Sequence, residues 1–235
     1  MTTVNVASQV TTPAEIAPYI QHTKIEVGTS REEMVLHAQQ CVEYGFNAAM
    51  VPGSWVKLVA TELAGTGVEI ASALDFPTVG VMTSAGKAAE GAQLARLGAT
   101  QLDMGVQIGW LKSGMYDEFR EDIAGVVRAS GIPVKVMLEL PLLTPAERDA
   151  AVELAMDAGV SYLKNASAGT VEIANPGSIS FLVERARPGV LVKASGGIKN
   201  FGMAKALLDA GAVLLGTSAG VEIVTGADDG ATESY

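Results

Sequence analysis

Residues 133–165 read "PVKVMLELPLLTPAERDAAVELAMDAGVSYLKN", and the fold turns on how this stretch is parsed. "PVKVMLEL" (133–140) is short and rich in valine and leucine, which predicts a buried strand. "TPAERDAAVELAMDAG" (144–159) predicts a helix, with Thr144 as cap, Pro145 in the first turn and Gly159 at the end. "VSYLKNA" (160–166) returns to a strand. Strand, helix and strand in succession form a βαβ unit, with parallel strands and a right-handed crossover.

The alternation continues outward in both directions. Toward the N-terminus, "HTKIE" (22–26), "NAAMV" (47–51), "EIASAL" (69–74) and "TQLDMGV" (100–106) read as strands. Helices are expected between them at 30–45, 54–65, 83–98 and 115–131, the first opened by a capping box of Ser30 and Glu33. Toward the C-terminus, helix "GSISFLVERAR" (177–187), strand "VLVKAS" (190–195), helix "FGMAKALLDAG" (201–211) and strand "AVLLGTS" (212–218) follow. A short helix near "AGVEIV" (219–224) completes the series.

Eight strand–helix units with no long linker predict an α/β chain folded as a (β/α)8 TIM barrel. The expectation is one domain over 1–235, with a short N-terminal helix. "TGADDGATESY" (225–235) has no apolar periodicity and is expected to form a mobile tail. A doubly wound sheet is the rival, but no GxGxxG follows an early strand. The glycine-rich turns come late, after strands six, seven and eight, where barrels build phosphate sites.

Composition narrows the function. The chain is 49% hydrophobic and 18% charged, as a large core requires. Its formal net charge of −10 repels nucleic acid and anionic lipid, so neither is an expected partner. A phosphorylated small molecule remains compatible, because a local pocket can be positive on an acidic protein. Cys41 is the one cysteine, which excludes an intrachain disulfide and fits a cytoplasmic location. The N-terminus lacks the basic and long apolar regions of a signal peptide, and no run approaches the ~18 apolar residues of a membrane span. His37 reads as a partly exposed helix residue, and His22 as facing either a neighbouring loop or the barrel mouth. Neither has a second His or Cys at metal-ligand spacing, so no zinc site is expected.

Chemistry concentrates at strand ends, which line the mouth of a barrel. Lys164 and Lys193 each end an apolar run on neighbouring strands. Two readings fit them: structural ion pairing, or a pair in which burial and like charge leave one lysine a neutral amine able to form a Schiff base. Asp103 can relay protons beside such a pair, or simply neutralise a lysine. Lys135 and Glu139, four apart in one strand, read as a buried ion pair supporting the barrel. The turns "NASAGT" (165–170), "ASGGIKN" (194–200) and "LGTSAG" (215–220) are candidate phosphate cradles. Gly196 and Gly197 are expected to open a helix there, and "GTS" (216–218) to do the same with two hydroxyls.

With these residues laid out, the chain resembles the deoxyribose-phosphate aldolases, from about residue 15 to the C-terminus. The markers are "IQHTKIE", "LDMGVQIG", "PVKVMLEL", "YLKNASAG" and "VKASGGIK". The resemblance implies a cofactor-free class I aldolase that reversibly splits 2-deoxy-D-ribose 5-phosphate into acetaldehyde and D-glyceraldehyde 3-phosphate. It implies Lys164 as the Schiff-base residue, Lys193 as the lysine that makes that amine easier to deprotonate, and Asp103 as the proton relay. It also implies that Tyr235, at the tip of the tail, acts in catalysis. Substrate and phosphate are expected on Thr23, Gly169, Gly196, Gly197, Gly216, Thr217 and Ser218. The expected partners are small aldehydes and sugar phosphates, with a homodimer as the assembly. Two motifs depart: Gln21 stands where the family has Asp before "HT", and "KNASAG" replaces "KTSTG". Two rivals remain: a lysine aldolase for another deoxy-sugar or ketose, phosphorylated or not, and a barrel that binds a sugar phosphate without turnover.

Overall fold

Alternation along each strand sorts side chains between two layers. In β5 (Val134–Met137), Val134 and Val136 face the helices and join the main hydrophobic core, while Lys135 faces the barrel interior and meets Asp103. In β2 (Ala48–Val51), Ala49 and Val51 join that same core, while Ala48 and Met50 form a separate small cluster with Ala71. The interior is therefore apolar and lined by small side chains beside β2 and β3, and charged beside β4 to β7.

The computed structural model describes residues 10–227. Its strands are β1 (Ile20–Thr23), β2, β3 (Glu69–Leu74), β4 (Gln101–Gly105), β5, β6 (Tyr162–Lys164), β7 (Leu191–Ser195) and β8 (Leu214–Thr217). All neighbours pair in parallel, and β8 closes on β1 through Gln21 opposite Gly216. This is the (β/α)8 TIM barrel the alternation predicts.

The helices are α1 (Arg31–Glu43), α2 (Val56–Glu62), α3 (Ser84–Leu97), α4 (Ile108–Lys112), α5 (Tyr116–Ser130), α6 (Pro145–Asp157), α7 (Pro176–Arg185), α8 (Phe201–Asp209) and α9 (Gly220–Thr225). The Ser30–Glu33 capping box is present at α1, and Thr144 and Glu147 form another at α6. A 3-10 helix, Ala14–Tyr19, precedes β1 and buries Ile16 and Ala17. Helix α4 is an unpredicted short insertion between β4 and α5. No helix among the described residues is long and apolar enough to cross a membrane. The expected tail begins at the last residue of α9, and residues 228–235, Tyr235 included, lie outside the described residues.

Two expectations need correction. β5 ends at Met137 rather than Leu140, because Glu139 adopts a left-handed backbone with φ 50°. That turn breaks the strand alternation, so Glu139 does not pair with Lys135. Its carboxylate instead accepts the Ser167 backbone N–H at 2.9 Å, and burial raises its pKa above the ordinary glutamate value. His37 is buried rather than partly exposed, with its ring 4.7 Å from that of His22. Burial, with smaller contributions from His22 and Lys24, lowers His37 to about 3. His22 also packs on Phe46 and lies against Gly220, on the helix side of β1 and not in the mouth.

Candidate active site

The register of the barrel brings its charged residues together in two adjacent rows. Asp103 lies opposite Lys135 on β5, and Lys164 lies opposite Lys193 across β6 and β7. All four side chains turn inward. Asp103 Oδ2 accepts from Lys164 Nζ at 2.9 Å and from Lys193 Nζ at 2.8 Å. Its Oδ1 lies 3.2 Å from Lys135 Nζ. Three lysines thus surround one carboxylate whose side chain is fully out of solvent.

The electrostatics follow from that count. Burial alone would raise the Asp103 pKa, but the charges of Lys164, Lys193 and Lys135 outweigh it and hold the carboxyl well below the usual range. Burial pushes Lys193 well below the usual lysine range; Asp103 opposes this, and the charges of Lys164 and Lys135 add to it. Lys135 is lowered chiefly by burial, against the pull of Asp103. One carboxylate cannot balance three buried ammonium groups, so Lys193 and Lys135 shed protons more readily than free lysines do. Lys164 and Lys193 both donate to Asp103 Oδ2, so one carboxylate oxygen joins the two amines. A proton can pass between them through that oxygen.

Solvent access separates the lysines. A cavity of about 670 Å³ opens at the carboxyl ends of the strands. Lys164 and Lys193 both line it, with side-chain exposures of 6% and 1%, whereas Lys135 is sealed at 0%. The small residues of β2 and β3 leave room opposite them, where Met50, Ala73 and Phe76 form an apolar wall.

Gln21 explains how the departing first-strand motif is accommodated. Its Oε1 accepts from Lys193 Nζ at 2.6 Å, while its amide donates to Gln101 at 2.8 Å and to Asn47 at 3.1 Å. Gln101 in turn donates to Glu69. With both N–H groups committed, the Gln21 oxygen must face Lys193. The lysine gains an acceptor but no second negative charge. Asn165 accommodates the other departure: it accepts from Ser195 N at 2.9 Å and donates to Ser195 O at 3.0 Å and Glu172 at 2.7 Å, tying the β6 loop to β7.

All the expected substrate-binding positions line the same cavity: Thr23, Gly169, Gly196, Gly197, Gly216, Thr217 and Ser218. Two local expectations fail. Gly196 and Gly197 do not open a helix, since α8 starts at Phe201 with Asn200 as its cap. The glycines form a separate turn with φ of 117° and 61°, and a Cβ on Gly196 would sit 2.1 Å from the Glu172 carbonyl oxygen. Likewise, "GTS" precedes α9 instead of starting it. The Thr217 hydroxyl donates to the Ile198 carbonyl at 2.6 Å and accepts from Ala219 N at 3.0 Å, so it joins two turns, whereas Ser218 is exposed.

A second buried charge cluster was not anticipated. Lys87 Nζ contacts Asp75 at 2.9 Å, Asp122 at 2.8 Å and the Gly105 carbonyl at 2.9 Å. Asp75 also accepts from the backbone of Gly80, Val81 and Met82, fixing the loop that presents Phe76 to the cavity. The signal in the sequence is Lys87 itself, which shares a helix face with buried Gly91 and Leu94 at spacings of four and seven.

A TIM barrel whose mouth carries a carboxylate among buried lysines defines a class I aldolase, an aldehyde-lyase that works through a lysine imine. Comparison with known proteins narrows the class. No family model matches the chain. Deoxyribose-phosphate aldolase of Methanothermobacter thermautotrophicus is 37% identical over 222 residues, covering 94% of this chain and 99% of that protein. The enzyme of the same name from Brevibacillus brevis is 39% identical over 210 residues, covering 89% and 95%. Among solved structures, the tetrameric deoxyribose phosphate aldolase of Aeropyrum pernix superposes with a TM-score of 0.84 at 26% identity, covering 94% of each chain. The chain belongs to the deoxyribose-phosphate aldolase family.

Proposed function

We propose that the protein reversibly cleaves 2-deoxy-D-ribose 5-phosphate to acetaldehyde and D-glyceraldehyde 3-phosphate, with Lys164 as the imine-forming residue. The observation that carries this reading is a carboxylate shared by two lysines that both line the cavity, Lys164 being the more exposed of the two. The neutral Lys164 amine attacks C1 of the open-chain sugar, and the carbinolamine loses water to give an iminium. Loss of the C3 hydroxyl proton breaks the C2–C3 bond, and the electron pair moves into the iminium as an enamine. Protonation at C2 and hydrolysis release acetaldehyde and free Lys164. Asp103 and Lys193 lie where protons must enter and leave Nζ, and together they relay them. Gly169, Gly196, Gly197, Gly216, Thr217 and Ser218 hold the phosphate end through backbone N–H groups and the Ser218 hydroxyl, and Thr23 borders the sugar. Acetaldehyde released from deoxyribose 5-phosphate, followed with a coupled alcohol dehydrogenase, tests the reaction; a purified chain with no release would refute it.

The part given to Lys193 has its own signature. Lys193→Leu removes a positive neighbour, so the cluster keeps its protons to higher pH. The acid limb of kcat/KM should rise by about one pH unit. Lys193→Arg keeps the charge but cannot release it, and should lower the rate without that shift. A leucine variant with an unchanged pH profile and full activity would make Lys193 structural.

The phosphate turn is tested at Gly197. A Cβ there would lie 2.7 Å from Ile173 Cδ1 in a left-handed backbone, so Gly197→Ala displaces the turn. The Michaelis constant should rise about tenfold for deoxyribose 5-phosphate and far less for deoxyribose, reflecting about 1.4 kcal/mol of lost phosphate contact. Equal effects on the two sugars would remove the phosphate from this turn. A homodimer in the cytoplasm belongs to the same proposal, and light scattering on the purified chain separates it from the tetramer of the Aeropyrum pernix relative.

A further inference from the structure

The charges lining the cavity are unevenly placed. Lys164, Lys193 and Asp103 occupy its floor, whereas Glu26, Lys199 and Glu222 occupy its rim. Glu26 lies 3.8 Å from Lys24, which offsets its charge. Glu222 has no ion-pair partner among the described residues. It sits in the first turn of α9, four residues beyond Ser218, and so stands on the same wall as the turns assigned to phosphate. Burial holds His22 on the adjacent strand below the ordinary histidine pKa, and the field of Glu222 is one of the smaller influences that oppose it. The β6 loop carries no compensating cation, since "NASAGT" contains none. A doubly charged phosphate entering this rim meets one lysine, Lys199, and an unneutralised carboxylate.

We propose that Glu222 is a specificity-determining residue that suppresses the preference for a phosphorylated substrate, so that the site also accepts neutral, unphosphorylated 2-deoxy sugars. The proposal rests on the aldolase reading of this site and extends it to substrate class. Backbone N–H groups at Gly196 and Gly197 attract an anion at the rim, and Glu222 opposes them. The balance is electrostatic, so it responds to salt, whereas fit to a neutral sugar does not.

The experiment measures kcat/KM for deoxyribose 5-phosphate and for deoxyribose, and takes their ratio, in wild type, Glu222→Gln, Glu222→Lys and Glu184→Gln. Glu184 is an exposed carboxylate outside the cavity lining, only loosely paired with Arg185 at 3.9 Å, so it serves as a control for net charge. The ratio should rise about fivefold in Glu222→Gln and further in Glu222→Lys at low salt, and stay at the wild-type value in Glu184→Gln. Added salt should raise the wild-type ratio and lower that of Glu222→Lys. An unchanged ratio in both Glu222 variants, with both sugars still cleaved, would overturn this inference and leave the aldolase reading standing. If wild type cleaves neither sugar, the aldolase reading falls and this inference with it.

Discussion

Lys164→Ala is expected to lower kcat/KM for aldol cleavage by a thousandfold or more, on the order of 4 kcal/mol of lost transition-state stabilisation. The substitution deletes the amine that carries the substrate, and neither neighbour replaces it. Lys135 is sealed from the cavity, and Lys193 is committed to Gln21 and Asp103. Folding should survive, because Asp103 keeps Lys193 at 2.8 Å and Lys135 at 3.2 Å as counter-charges. The same variant should still bind deoxyribose 5-phosphate, since the rim turns are untouched. A folded Lys164→Ala protein with activity within about tenfold of wild type would place the imine elsewhere.

Asp103→Asn is expected to affect both rate and stability. Its carboxylate is the one acceptor common to Lys164 and Lys193, so the relay between them is lost and turnover should drop by about two to four orders of magnitude. Three buried lysines also lose their shared counter-charge, which should cost about 3–5 kcal/mol near neutrality. The pH dependence gives the sign. In wild type the depressed Asp103 carboxyl adds stability that is present above the ordinary aspartate pKa and is lost as pH falls below it. The variant has no such contribution. What remains is Lys193, depressed by burial, so the unfolded chain binds more protons and stability rises with pH. Denaturant titrations from pH 6 to 9 should show that rise to be steeper in the variant. A flat profile at wild-type stability would mean the lysines do not depend on Asp103.

Local sequence signals account for most of the barrel. "EIASAL" coincides with β3, and the capping box at Ser30 marks the start of α1, because these depend on neighbouring residues alone. The end of β5 was misread because "PVKVMLEL" stays apolar beyond the point where Glu139 turns left-handed, and composition does not register that turn. The pairing of Lys135 with Asp103 was missed for a related reason. Spacing within one strand suggested Glu139, but register across strands decides which groups meet. His37 was misplaced because a histidine in a polar helix reads as exposed until His22, itself backed by Phe46, is packed against it. Lys164, Lys193 and Asp103 were legible as candidates because charged residues within or at the end of apolar strands stand out, whereas their pattern alone fitted ion pairing and imine chemistry equally and the family motifs separated the two. The Gln21–Gln101–Glu69 chain was not legible, since it joins three strands far apart in sequence.

Lys164, and not a neighbouring lysine, is expected to carry the substrate carbon. Borohydride reduction of the protein with acetaldehyde, followed by peptide mass mapping, tests it directly. An ethyl adduct of about 28 Da is expected on Lys164, formed in wild type and absent without aldehyde, because reduction fixes the imine as a secondary amine. An adduct confined to Lys193 or Lys135 would contradict it.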